Sequence, residues 1–276
     1  MEWVSYNAQN KPQVDKKAAF CELVDVIPPS KDFDDSLNNI CAAILAKHPF
    51  VTQDALKNVR GSWYQWLLAS SAWNYYCDGG VYLAALLPNK TRFDIANLYE
   101  DRLRDFITDL RQKVSQHANV ELVTSNPDFV IMKASDLILD LPFTGKLTSF
   151  NSENLDALDR LYEAIVGRCN FDNLIGYISV KTSFRPDRRL QIPHEGSLMK
   201  AIYAHLQTRD WIINPKGLRY YAIAMKVGPA DKEALRTVAT HSITTVNEVP
   251  KAAVDNVFVI NSEAEAQGVW HSILRA

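Results

Sequence analysis

The sequence predicts an α/β (α+β) fold in which a mixed β-sheet is flanked by helices and preceded by a mostly helical N-terminal lobe. Helical periodicity dominates the first 80 residues. From there to the end, short apolar runs bounded by turn residues alternate with amphipathic helical stretches. Of 276 residues, 47% are hydrophobic and 22% charged, which suffices for a sizeable core. The expected division is a helical lobe at 1–80 and a core at 81–276, although no Pro/Gly-rich linker marks the boundary.

The elements follow in order. SLNNICAAILAKH (36–48) has apolar residues at helical spacing, with Asp34, Asp35 and Ser36 supplying N-cap chemistry. TQDALKNVRGSWYQWLLASSAWNYY (52–76) is a long helical pattern, interrupted or kinked near Gly61 and ended by Cys77, Asp78, Gly79 and Gly80. Its tryptophans, Trp63, Trp66 and Trp73, read as core. VYLAALLP (81–88) reads as a buried strand, and RFDIANLYEDRLRDFITDLRQKV (92–114) as an amphipathic helix. VELVTSNPDFVIMK (120–133) reads as a strand, a bend at Asn126-Pro127 and a second strand. A helix is expected at 152–168, a strand at 173–183, a helix at 196–207, strands at 218–227 and 254–261, and a closing helix at 262–274.

The bulk numbers narrow the function classes. The formal net charge is −2 and the pI is near 6.3, which argues against indiscriminate polyanion binding. It leaves open a local cationic cleft, because the placement of the cations decides binding. The N-terminus lacks the basic-then-apolar order of a signal peptide, and no apolar run reaches bilayer length, so a cytoplasmic protein is expected. Cys21, Cys41, Cys77 and Cys169 are far apart and lack zinc-ligand spacing. No GxxxxGK[ST], GxGxxG or GxSxG loop is present, so nucleotide-cofactor and serine-hydrolase readings have no support.

The chemistry-bearing residues cluster around SVKTSFRPDRRLQIPHEG (179–196). Side chains two apart on a strand share a face, so Tyr177, Ser179, Lys181 and Ser183 point one way and Ile178 and Val180 the other. Lys181 then stands at the rim of a sheet. Asp128 starts an earlier strand after Pro127, and Glu195 opens the following helix. Magnesium takes oxygen ligands, commonly one or two carboxylates completed by water and phosphate, and Asp128 and Glu195 can supply them. Lys181 can orient or deprotonate a water and offset charge on a phosphate. On spacing alone, an ordinary Pro-Asp turn and a solvated strand-end lysine account for the same residues.

Pro127-Asp128, Ser179-Val180-Lys181, the RPDR run at 185–188 and Glu195 together resemble the CCGG-cutting type II restriction endonucleases, the NgoMIV, SgrAI and BsaWI group, which have the PD-(D/E)xK nuclease fold. The usual acid two positions before the lysine is Ser179 here. In the group the missing carboxylate comes from a glutamate after thirteen intervening residues, and residues 182 to 194 separate Lys181 from Glu195. The resemblance implies Asp128, Lys181 and Glu195 as catalytic residues, Asp128 and Glu195 as Mg2+ ligands, and Arg185, Asp187 and Arg188 as readers of the CCGG core. Arginine can be bidentate to guanine and aspartate can accept from cytosine N4. Pro186 biases the backbone before it toward an extended form. Arg189 is next in line, for a base or a phosphate. A solvated basic loop with an internal Arg–Asp pair is the plain alternative.

The resemblance also implies a homodimer on double-stranded palindromic DNA, with assembly beyond the dimer as in some members of the group left open, cleavage before the first C to leave 5′ overhangs, and a companion DNA methyltransferase. One departure stands out. The helix at 61–74 is similar to the one that carries a further glutamate in this group, and Gln65 falls near that position. Ser179 and Gln65 are therefore accessory positions. Either another acid, such as Glu100 or Asp101, serves, or a second metal site is weak or absent. The rival readings are a structure-directed repair or junction nuclease of the same fold, and a DNA reader that does not cut.

Overall fold

A computed structural model describes residues 3–275 except 7, 10, 25, 125, 135–139 and 245–248. The N-terminal part contains a small hairpin of β1 (Val4–Tyr6) and β2 (Pro12–Val14), then α1 (Lys16–Leu23), α2 (Phe33–Lys47) and α3 (Gln53–Cys77). The remainder runs β3 (Tyr82–Leu86), α4 (Asp101–Ala118), β4 (Phe129–Lys133), α5 (Ser152–Arg160), β5 (Leu174–Ser183), α6 (Pro186–Arg209), β6 (Arg219–Lys226), α7 (Pro229–Leu235), β7 (Asn256–Val259) and α8 (Glu263–Ile273).

The five-stranded sheet has the order β3-β4-β5-β6-β7. β3, β4 and β5 pair antiparallel, whereas β5, β6 and β7 pair parallel, so the sheet is mixed as expected. The central strands are buried nearly throughout, which explains why they read as continuous apolar runs. Because Tyr177 pairs with Tyr220 and Lys181 with Ala224, Tyr177, Ser179, Lys181 and Tyr220 share one sheet face. Tyr99, before α4, meets the Tyr177 hydroxyl at 3.2 Å on that face, and α6 packs there against β6.

α3 differs from expectation in having no interruption at Gly61. Thr52 caps it by accepting from the Ala55 amide, and its second half is buried all round, with Trp63, Tyr64, Trp66, Leu67 and Trp73 the large side chains there. That burial far exceeds the roughly 1 kcal/mol that glycine costs within a helix. Each tryptophan also has a partner for its indole N–H: Trp63 donates to the Lys16 carbonyl, Trp66 to Asp159 and Trp73 to the Gly145 carbonyl. The buried residues of α2 and α3 belong to the same core cluster as the sheet.

Other boundaries moved for identifiable reasons. The expected helix at 92–114 starts only at Asp101, because Asp94 caps a short 3-10 turn, Ile95–Leu98, first. No strand forms over 120–124, where Val120 and Val123 are exposed and have no strand to pair with. α5 ends at Arg160 and gives way to a 3-10 turn, Leu161–Ile165. The largest difference is α6, which begins at Pro186 rather than near 196. Proline is favoured at the first helical position. Pro193 lies inside the helix, where it removes a backbone bond, but Ile192, Pro193, Glu195 and Gly196 are all buried in the core contact.

Candidate active site

The site is built where β4 starts and β5 ends. Phe129 pairs with Ile178, and the Asp128 amide donates to the Ile178 carbonyl, which sets Asp128 beside Ser179. Asp128 Oδ2 then accepts from Lys181 Nζ at 2.8 Å, from the Val180 amide at 2.5 Å and from Ser179 Oγ at 3.5 Å. Its Oδ1 accepts from Gln65 Nε2 of α3 at 2.7 Å. Four donors thus fix one carboxylate, which is held by backbone and by two separate elements rather than by a single flexible partner.

Glu195 approaches from α6. It is 4% exposed, and it keeps its hydrogen bonds as a buried polar group must. Oε1 accepts from Gln191 Nε2 at 2.7 Å, one helical turn earlier, and Oε2 accepts from the Tyr220 hydroxyl at 2.9 Å. Burial, chiefly, and the neighbouring Glu195 charge hold the Tyr220 phenol well above its ordinary range, so it stays a neutral donor. The Asp128 charge and a hydrogen bond with Ser179 also act on that phenol. Tyr220 thereby bridges the Glu195 side of the site to the Ser179–Asp128 side. Gly196 makes this approach possible: a Cβ there would lie 2.3 Å from the Ala253 carbonyl oxygen and 2.9 Å from the Tyr220 ring. Glu195 sits in the third turn of α6, not at its head as expected, because the helix starts earlier.

Two clefts meet at Gln65 and Ser62. One, of about 430 Å³, contains Asp128, Lys16, Arg92 and Asp159. The other, of about 620 Å³, lies between α3 and the β5–α6 junction and contains Lys181, Arg185 and Arg188. Arg185 and Asp187 are well exposed at 67% and 60%, and their side chains stand 3.4 Å apart. Arg188 bonds Gln191, which is itself bound to Glu195, so the RPDR run and the buried carboxylate are mechanically linked. Arg189 points elsewhere: its Nε lies 2.7 Å from Asp231 Oδ1, and Asp231 in turn accepts from the Gly228 amide at the head of α7.

Glu100 and Asp101 do not join the site. Glu100 accepts from Asn170 beyond the opposite end of β5, and Asp101 pairs with the neighbouring Arg104. The acid that faces Gln65 and Asp128 across their cleft is Asp159, 3.1 Å from Lys17. Lys16 donates to Ser62 Oγ at 3.1 Å and lies over the Trp66 ring; burial pulls its ammonium below the ordinary lysine range. Among the described residues no three His, Cys, Asp or Glu side chains cluster as a ready-made metal cage. Asp128 and Glu195 are hard oxygen donors, the kind magnesium uses alongside water and phosphate, so the donor chemistry fits that ion.

The model of the Cfr10I/Bse634I restriction endonucleases matches residues 2–276. The chain belongs to the Cfr10I/Bse634I restriction endonuclease family. It is a site-specific DNA endonuclease. The type II restriction enzyme Cfr10I of Citrobacter freundii is 42% identical over 228 residues, covering 81% of this chain and 80% of that protein. The Bse634I restriction endonuclease superposes with a TM-score of 0.89 at 31% identity, over 100% of this chain and 98% of its own. The type IIF endonuclease Bse634I crystallised with cognate DNA gives the same TM-score at 30% identity, over 99% and 98%. The motif resemblance reached the class, type II restriction endonucleases, and the family that matches is Cfr10I/Bse634I. The structure contains no helix long and apolar enough to cross a membrane among the described residues.

Proposed function

We propose that this restriction endonuclease is a magnesium-dependent enzyme of the PD-(D/E)xK type that cuts double-stranded palindromes with a CCGG core, before the first C, leaving 5′ overhangs. The observation that carries this reading is that Lys181, Arg185 and Arg188 line one cleft, at the tip of β5 and the head of α6, beside Asp128. A cutting group and a reading group on one rigid strand–helix junction couple recognition to cleavage without a flexible link.

Beside that cleft, Asp128, which lines the adjoining one, and the buried Glu195 would hold the ion. A bound magnesium would supply Lewis-acid stabilisation of the phosphate and an activated water. Lys181, an ammonium fixed by Asp128, offsets the negative charge that grows on the phosphate in the transition state. Ser179 orients the Asp128 carboxylate. Gln65 holds its other oxygen and contributes no charge of its own. Arg185, Asp187 and Arg188 take the base edges in the major groove, and Arg189 braces α6 through Asp231.

A palindrome has two-fold symmetry and a double-strand cut needs a site on each strand, so the acting form is a homodimer with an isologous interface. A nuclease of this kind works in the bacterial cytoplasm beside a DNA methyltransferase that protects the host. Residues 1–80 act as a lobe that closes the cleft from the α3 side. Digestion of a plasmid library with magnesium, followed by sequencing of the ends, tests activity, core sequence and stagger together. Ends that all fall immediately 5′ of the first C of CCGG on each strand support the reading. Ends without a common core would point to a structure-directed nuclease, and binding without cutting to an inert reader.

A further inference from the structure

Gly61 lies in the interior of α3 and has no positive φ. Glycine there costs roughly 1 kcal/mol against alanine. A Cβ placed on it would meet no heavy atom within 4 Å, so nothing inside the chain requires the missing side chain. Gly61 lines the 620 Å³ cleft, and Lys57, Arg60, Lys181, Arg185 and Arg188 line it too, with no Asp or Glu among its described lining residues. Each of these cations pairs with an acid outside the lining, Lys57 with Asp54, Arg60 with Asp34, Lys181 with Asp128, and Arg185 and Arg188 with Asp187, so the wall is cationic with its charge partly offset, and a polyanion entering the cleft can take over those contacts. Asn58, Gly61, Ser62 and Gln65 have the i, i+3, i+4, i+7 spacing of one helix face. That stripe runs along the cleft to Gln65, which touches Asp128.

We propose that Gly61 is a close-approach point for the DNA sugar–phosphate backbone. The bare helix surface lets the strand settle against α3, within reach of Lys57 and Ser62, while Arg185 and Arg188 occupy the groove. Any longer side chain would stand between the strand and the helix and lift the scissile phosphate from Lys181. This inference rests on the reading of the cleft as the DNA site.

The test compares Gly61→Ala and Gly61→Leu with Gly268→Ala, another helix glycine with open space around its Cβ but on the exposed side of α8. Thermal melting is measured alongside equilibrium binding of a CCGG duplex in calcium, with Arg188→Ala in the same series. Gly61→Ala and Gly268→Ala should raise Tm by about 2–4 °C from helix propensity. Binding should weaken about tenfold, ~1.4 kcal/mol, in Gly61→Ala, weaken further in Gly61→Leu, and stay unchanged in Gly268→Ala. If Arg188→Ala loses affinity while Gly61→Leu binds within twofold of wild type, the close-approach role is wrong and the cleft reading stands. If both bind as wild type, the cleft reading falls with it. A lower Tm in both Gly61 variants would assign the glycine to folding and overturn the proposal.

Discussion

Lys181 and Asp128, 53 residues apart in sequence, meet at 2.8 Å where β5 ends and β4 begins. Antiparallel pairing of the two strands forces this meeting, since Phe129 is locked opposite Ile178. Removing either member should therefore disable chemistry without dismantling the cleft. Lys181→Ala and Asp128→Asn should each lower the cleavage rate by at least about 10²-fold, the scale of losing one transition-state charge contact. Filter binding in calcium should show the CCGG complex retained. Wild-type turnover in either variant would remove that residue from the site.

Gln65 offers a gain-of-charge experiment. Its amide donates to Asp128 Oδ1 at 2.7 Å, so Gln65→Glu puts two carboxylates in contact. Without metal the like charges repel and Tm should fall in EDTA. With magnesium the added oxygen ligand should lower the ion concentration that gives half-maximal cleavage. An unchanged Tm in EDTA together with an unchanged metal titration would mean that position 65 lies outside the metal's reach.

Tyr220 holds Glu195 in place. Tyr220→Phe deletes the hydroxyl that donates to a carboxylate 4% exposed, leaving one oxygen without that donor. The expected cost is about 1–3 kcal/mol of stability, seen in urea unfolding. Cleavage should fall more than CCGG affinity does, because Glu195 loses its fixed orientation while Arg185 and Arg188 are untouched. Equal losses in cleavage and affinity would make Tyr220 a general packing residue.

His205 provides the pH dependence. Burial, mainly, and the nearby Arg209 and Lys113 pull its imidazole below the ordinary value of 6.5, against the opposing pull of Asp109, and Nε2 lacks a hydrogen-bond partner. The folded state thus resists protonation more than the unfolded chain. Its contribution is present above 6.5 and is lost as pH falls through the depressed folded value. Stability measured by denaturant should drop as pH falls below 6.5, and His205→Gln should flatten that slope. An identical slope in the variant would assign the acid sensitivity to other groups.

The sheet is legible because its signals are local, whereas the joining of Asp128 with Lys181 is legible only through the resemblance. Buried apolar runs mark β3 to β6, and a strand's two-residue period puts Ser179 and Lys181 on one face. α6 starts earlier than the expected 196 because Pro186 serves as its first residue, and the buried contact with Tyr220 of β6 and with Ala253 accommodates Pro193 within it. Lys16, Asp159 and Tyr220 were missed because α1, α5 and β6 bring them in by tertiary approach. The doubled lysine after the Asp15 cap was a faint signal for Lys16, and nothing in a three-residue strand such as β1 stands out from loop. Gln65 was legible only through the resemblance, and its contact with Asp128 is what gives that position meaning.

The most direct measurement is a crystal structure of the chain with a CCGG duplex and calcium, which occupies such sites without rapid turnover. One cation is expected within about 2.3–2.6 Å of oxygens from both Asp128 and Glu195 and from the phosphate before the first C, with Lys181 beside that phosphate. A cation held away from Asp128, or a Glu195 still bound to Gln191 and Tyr220 with no metal contact, would contradict this coordination.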